Sequence, residues 1–343
     1  MNILIKSFNR PYLLDFTIKS ALKNIKGNFT ITVVDDGTPD IYLQKLIKRY
    51  PFVNFKKTKY YKEKSTRIIN HEINNLIDKK ITLPHSDWNN IVNEFDSDFF
   101  LVLEDDQYII NEIDITVILE LFKKYNLQFI HFNVLNNKSI NFKILDEINN
   151  VYIYNSKYLL RKIRRLNEII SPNYFQRKFN GLLKKLRIDN KLDFKKDLLE
   201  LYNIYVISGV IYRKSYWNIC TSTSKDEVNE IHQLYSAGIY NLSYKGKLFF
   251  GVSQQQRIKT NFNNTSLGNN RGLKFDTTLF NILMNKIWYK DDTGYFDETN
   301  YELNVNYVIN YLKKENNTNC SFEEWVKFSE IFKNNYKSMG FDL

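Results

Sequence analysis

Asp98-Phe99-Phe100-Leu101-Val102-Leu103-Glu104-Asp105-Asp106 is the stretch on which the fold turns. A continuous apolar run of this length, rich in aromatic and branched residues, reads as a strand buried on both faces, as in parallel sheets. The three carboxylates then sit at its carboxyl end, the edge of open α/β sheets where ligands bind. Adjacent acids repel one another and resist desolvation, so their crowding calls for a compensating cation or full hydration. Oxygen-only ligands suit Mg²⁺ or Mn²⁺, with one or two carboxylates and a substrate phosphate completing the shell. An acidic turn in water is the plainer alternative for this stretch alone.

Upstream, residues 2 to 7 read as a first strand, followed by Asn9-Arg10-Pro11, where Asn9 is expected to cap a helix and Pro11 fits its first turn. Leu14, Ile18, Ala21, Leu22 and Ile25 share one helical face. Residues 29 to 34 read as a second buried strand ending in Asp35-Asp36-Gly37-Thr38, so acids again mark a carboxyl edge. The unit is βαβ, with a right-handed crossover. A carboxylate at Asp35 or Asp36 can accept from a base or a ribose; Asp-Gly is equally a common turn pair. Residues 52 to 55 suggest a third strand. Residues 65 to 76 suggest a helix with Ile69, Ile73 and Leu76 inward, on which Arg67 either meets a diphosphate or stands as a solvated charge. His71 reads as a half-buried, satisfied residue.

Downstream, Ile115, Ile118, Leu119 and Phe122 repeat at helical spacing, residues 128 to 132 read as a strand, and residues 138 to 154 as a hairpin-like segment. Between Lys157 and Lys196 stand thirteen basic residues against three acidic ones, which accounts for ten of the eleven excess positive charges. This segment is amphipathic and suits an anionic membrane surface, a phosphate-bearing acceptor, or a solvated basic face. Residues 205 to 212 read as a strand interrupted at Ser208-Gly209. A helix beginning near Ser224 carries Asp226 and Glu227 in its first turn, turns Val228, Ile231 and Tyr235 inward, and is expected to stop at Gly238. Residues 253 to 271 form a polar loop suited to a lid, and the tail from Phe275 returns to helical patterns, with Ser321 and Glu324 spaced as a capping box.

Composition narrows the classes. With 43% hydrophobic and 15% aromatic residues, the 343-residue chain affords a large core and is globular. Two cysteines and four histidines without ligand spacing exclude a disulfide framework or a zinc site. No run approaches the 18 apolar residues that span a bilayer, and no signal peptide precedes the first strand. A cytoplasmic protein is expected, peripheral on the inner membrane face if the basic segment docks there. The abundance of Asn, Ile, Lys and Tyr reads as AT-rich compositional drift, which discounts any single Lys or Asn as a signal.

Together these residues resemble the GT-A glycosyltransferases, particularly the family 2-like group. The resemblance lies in Phe8-Asn9-Arg10-Pro11 after the first strand, in Val33-Val34-Asp35-Asp36-Gly37-Thr38, and in Phe100-Leu101-Val102-Leu103-Glu104-Asp105-Asp106, which looks like the DXD element in a Glu-Asp-Asp form. Ser208-Gly209 and the spacing from Asp226-Glu227 to Gly238 resemble acceptor-side segments. The resemblance implies an α/β GT-A fold, with a mostly parallel twisted sheet flanked by helices. It implies a catalytic domain over residues 1–255, with a basic helical insertion at 157–200, and a helical extension at 256–343. It further implies a nucleotide-sugar donor contacted by Asn9, Arg10, Asp35, Asp36, Arg67, Glu104 and Asp105, and Mn²⁺ or Mg²⁺ on Asp106 with Asp105. The base would be Glu227 or Asp226, since the pair reads Asp-Glu where the family reads Glu-Asp. Expected partners are a UDP-sugar and a saccharide or lipid-linked acceptor. A nucleotidyltransferase-like enzyme would want a Gly-rich basic loop after the first strand, which is absent. A nucleic-acid or membrane module would use the basic helices alone, and their separation from the acidic site makes them an accessory.

Overall fold

A nine-stranded sheet forms the centre of the computed structural model, which describes residues 1–74, 85–132, 136–137, 143–164, 201–222, 230–261, 275–318, 320–338 and 341–342. In chain order its strands are β1 (Asn2–Ser7), β2 (Thr30–Asp35), β3 (Asn54–Lys57), β4 (Phe99–Glu104), β5 (Leu127–His131), β6 (Ile144–Ile148), β7 (Val151–Asn155), β8 (Val210–Arg213) and β9 (Phe249–Ser253). Across the sheet they lie in the order β6-β7-β9-β5-β8-β4-β1-β2-β3. Seven of the nine point the same way, with β7 and β8 reversed. The sheet is therefore mostly parallel in direction, as the sequence implies.

Both faces of the sheet are covered, which is why β1 and β4 read as unbroken apolar runs. Ile3, Ile5, Leu101 and Leu103 point into one core, while Leu4, Phe100 and Val102 point into the other. Helix α1 (Pro11–Asn24), α2 (Asp40–Arg49), α3 (Tyr61–Asn74), α4 (His85–Asn93), α5 (Ile115–Tyr125), α6 (Lys214–Thr221), α7 (Glu230–Ser243), α8 (Thr277–Tyr289), α9 (Val305–Glu315) and α10 (Phe322–Ser338) pack on these faces. Register fixes the functional edge: Lys6 stands opposite Glu104 and Ser7 opposite Asp35. The acidic ends of β2 and β4 thus flank the end of β1.

The structure corrects several local expectations. Asn9 does not cap α1; Arg10 holds the N-cap position without a side-chain bond, and Pro11 occupies the first turn. Asn9 instead adopts a left-handed conformation, φ 53°, and its carbonyl and side-chain oxygens accept from Asn285 Nδ2. On α3 the inward face is Tyr61, Lys64, Ser65, Ile68 and His71, while Ile69 is exposed. Helix α7 runs through Gly238 and ends nearer Gly246, whose φ is +69°. The strand expected over 205–212 begins only at Val210, after Gly209, which has φ 71° and whose N–H and carbonyl bond Val102 and Phe132. Residues 138–142 lie outside the described residues, but β6 and β7 form the expected hairpin through left-handed Asn149 and Asn150.

The chain beyond residue 255 is not a separate appendix. Residues Ile258–Thr260 pair antiparallel with Gln107–Ile109, the strand directly after the acidic turn. Phe280, Trp288, Trp325 and Phe328 share the core of β1 and β4. Ser321 does cap α10, accepting from Glu324 N at 3.3 Å. Both cysteines are free and buried. Among the described residues no helix is long and apolar enough to cross a membrane.

Candidate functional site

The acidic edge folds with its own cations. Arg10 leaves β1 into α1 and turns its guanidinium onto the β4 turn, where Nη2 donates to Asp105 Oδ1 and Nη1 donates to Asp106 Oδ2 at 2.8 Å. All three side chains are buried. Asp105 Oδ2 accepts from Phe8 N at 3.0 Å, and its carbonyl accepts from Thr17 Oγ1 at 2.8 Å. Both Asp105 oxygens are therefore engaged within the fold. Asp106 differs: among the described residues its Oδ1 is buried without a partner, and so is Arg10 Nε. Burial pushes Asp105 up, to about 7, against the pull of Arg10, and moves Asp106 in the same direction. Burial works against the Arg10 charge, but the two aspartates outweigh it and hold the guanidinium ionised.

Glu104 has a different partner. Lys6, one strand over, donates from Nζ to Glu104 Oε1 at 3.0 Å and to the Ile207 carbonyl at 3.2 Å, and lies 4.7 Å from the Trp88 ring centre. Burial alone would raise the Glu104 carboxyl, but Lys6 overrides it and holds the group below its ordinary value. Glu104 is the most open of the three acids, with its side chain 36% exposed. Gln107 buttresses the turn, accepting from Glu104 N at 3.0 Å and donating to Ser208 Oγ at 2.9 Å.

At the β2 end the two acids divide. Asp35 is fully buried and accepts from Ser7 Oγ, Thr38 Oγ1, Gly37 N and Thr38 N at 2.7 to 3.0 Å. These bonds make the hydrogen-bonded turn of the plainer reading. Asp36 accepts from Thr58 Oγ1 at 2.6 Å and from Lys64 of α3. Burial raises it to about 6, with Lys64 opposing. Arg67 is exposed and paired with Glu63 one helical turn back. His71 is buried and its Nε2 lies 2.7 Å from Asp276 Oδ2, the N-cap of α8.

Asp226 and Glu227 lie outside the described residues, as does most of the basic segment, residues 165–200. Helix α7 nevertheless brings Glu230 to the edge. The protein around its carboxyl group and the neighbouring Glu104 charge both push it upward, with Lys6 opposing. Sequence reasoning missed Lys6, Lys64 and Glu230. The lysines carry no local motif: register places Lys6 opposite Glu104, and Lys64 reaches Asp36 from α3.

A hard divalent ion takes carboxylate oxygens. Asp106 Oδ1, buried and unpartnered, is such a donor, so the residues present fit a one-carboxylate site completed by ligand oxygens. Among the described residues no cluster of three or more metal-ligating side chains exists.

The chain is similar in structure to S. aureus TarS. TarS 1–349 in complex with UDP-GlcNAc overlaps it with a TM-score of 0.41 and 13% identity, over 76% of this chain and 57% of that one. TarS 1–349 alone gives 0.41 and 11% over 92% and 71%, and TarS 1–349 in complex with UDP gives 0.40 and 10% over the same shares. No family model and no curated protein matches. At this remoteness the function has to be argued from the site's own residues.

Proposed function

We propose that this protein is a glycosyltransferase that moves a sugar from a nucleotide-sugar donor, a UDP-sugar, to the hydroxyl of a saccharide or lipid-linked acceptor. The observation that carries it is the acidic carboxyl edge of β4, where Asp106 keeps one buried oxygen free beside Arg10. The sequence resemblance to GT-A enzymes supports the same reading.

In this reading Asp106 would hold Mn²⁺ or Mg²⁺, which when bound would supply positive charge against the departing diphosphate. Asp36, Asn9 and Glu104 line the donor side, and Asp105 anchors Arg10. The acceptor hydroxyl attacks the anomeric carbon, the bond from that carbon to the diphosphate breaks, and the hydroxyl proton passes to a carboxylate. In-line displacement inverts the centre. We assign the base to Glu227, with Asp226 as its alternative. The presence of Glu230 beside Glu104, three residues further along the chain, supports a base from this part of the sequence. The exposed Lys157, Arg161 and Arg164 open the basic segment and suit an anionic lipid surface on the cytoplasmic side.

A thermal-shift screen of nucleotide sugars with and without Mn²⁺ tests the function. Stabilisation by one class of donor, strengthened by Mn²⁺, is expected. Equal response to every donor without metal, or response to none, would overturn it. Glu227→Gln should abolish turnover; full turnover in it with loss in Asp226→Asn moves the base. Liposome flotation with and without anionic lipid tests the membrane contact.

A further inference from the structure

Three carboxylates in a row ought to attract a divalent ion from solution unaided. Here the structure supplies a competing cation. The planar fork of Arg10 spans Asp105 and Asp106, one nitrogen to each, and both acids are already neutralised in part by a charge that cannot leave the protein. The guanidinium is itself buried, so water screens it little. An ion approaching Asp106 Oδ1 meets one free carboxylate oxygen and a fixed positive charge beyond it. A diphosphate changes this balance: it brings negative charge and the oxygen ligands the protein lacks, since no third ligating side chain exists among the described residues.

We propose that Arg10 is a resident counter-ion that holds the site closed to a free divalent cation and makes metal binding conditional on a nucleoside diphosphate. Arg10 is thereby a positioning residue: it sets Asp105 and Asp106, and its own unpartnered Nε–H remains to donate to an arriving oxygen. The order of binding follows from charge. Cation and diphosphate enter together or diphosphate first, and the cation alone binds weakly. This rests on the donor-site reading above only for the identity of the diphosphate; the competition between Arg10 and the cation does not depend on it.

The test measures Mn²⁺ binding by the electron paramagnetic resonance of free Mn²⁺, without turnover, in wild type, Arg10→Gln and Asp106→Asn, each with and without UDP. Wild type should bind Mn²⁺ alone weakly and at least about tenfold more tightly with UDP, the usual size of a coupling between sites. Arg10→Gln should bind Mn²⁺ alone at least about tenfold more tightly than wild type. Asp106→Asn should lose the UDP-dependent gain. The inference is overturned if wild type holds Mn²⁺ alone as tightly as Arg10→Gln does, so that Arg10→Gln gains nothing. Should Arg10→Gln melt too early for titration, its melting temperature with and without Mn²⁺ gives the same answer: rescue by Mn²⁺ alone supports the role, and none refutes it. If UDP acts on no variant while Arg10→Gln still gains Mn²⁺, the counter-ion role stands and the nucleotide-sugar reading fails.

Discussion

Replacing Lys6 with Met isolates the electrostatics of the acidic edge, because Met keeps the apolar stem and removes only the ammonium. Lys6 is 5% exposed, 3.0 Å from Glu104 and 3.2 Å from the Ile207 carbonyl. Stripping one partner from a fully buried pair costs roughly 3–5 kcal/mol. Glu104 is 36% exposed, and water relieves part of the penalty, which brings the expected loss to about 2 kcal/mol. The double variant Lys6→Met with Glu104→Gln should recover most of it, giving a coupling of about 1–2 kcal/mol in a mutant cycle. The assay is urea unfolding across pH. Glu104 sits below its ordinary value, so its contribution is present above the unfolded-state value and fades as pH falls through the folded one. The deficit of Lys6→Met should therefore shrink below about pH 4. A loss within about 0.5 kcal/mol of zero at pH 7, or strict additivity in the cycle, would refute the argument.

Three further outcomes follow from the same edge. Arg67→Ala should change stability by less than about 0.5 kcal/mol and leave donor affinity unmoved, because its guanidinium is exposed and paired with an exposed glutamate one turn away; a weakened Kd in titration calorimetry would place Arg67 in the site. Asp36 is raised to about 6, so the stabilisation it gives when protonated is full below its ordinary value and is lost as pH rises through 6. Melting temperatures of Asp36→Asn should therefore decline less than wild type between about pH 4 and 6, and parallel profiles would contradict this. Gly37 has φ +143°, and a Cβ there would lie 2.7 Å from Lys64 Cβ and 3.2 Å from Ser65 N. Gly37→Ala should cost about 2 kcal/mol or more, read as an early melt, with the Asp36–Lys64 contact displaced; an unchanged melting temperature would show that α3 yields freely.

The sheet was legible because its signals are local. Apolar runs at Ile3–Ile5 and Phe99–Leu103, with both faces buried, announce β1 and β4, and the acids after β4 announce the edge. The phase of α3 was not legible, since the sequence pattern favours Ile69, Ile73 and Leu76 while the helix turns Lys64 and His71 inward toward Asp36 and Asp276. Buried polar partners invert the hydrophobic pattern wherever a helix covers a charged edge. Lys6 was hidden for a related reason: in a lysine-rich chain it looks like drift, and only its pairing opposite Glu104 gives it meaning. The pairing of Ile258–Thr260 with Gln107–Ile109 was not legible either, since it spans about 150 residues, beyond any local periodicity. Asp35 and Asp36 look alike in sequence, and the four donors around Asp35 separate them.

The placement of cations explains how such an edge exists before any ligand arrives. Asp35 is satisfied by hydroxyl and backbone donors, and each other acid at that edge is met by a basic side chain from a neighbouring element: Glu104 by Lys6 of β1, Asp105 and Asp106 by Arg10 at the head of α1, and Asp36 by Lys64 of α3. An unpaired buried carboxylate would cost several kcal/mol, and a site that relied on a bound ion would fold only with it. Internal pairing removes that dependence, and it leaves the metal a narrower task. Arg10 and the aspartates already approach balance without it. Under the proposed function, what would lack a counter-charge is the diphosphate, whose arrival would add negative charge to an acidic edge. A divalent ion would serve at that moment, on the one oxygen of Asp106 that has no partner among the described residues.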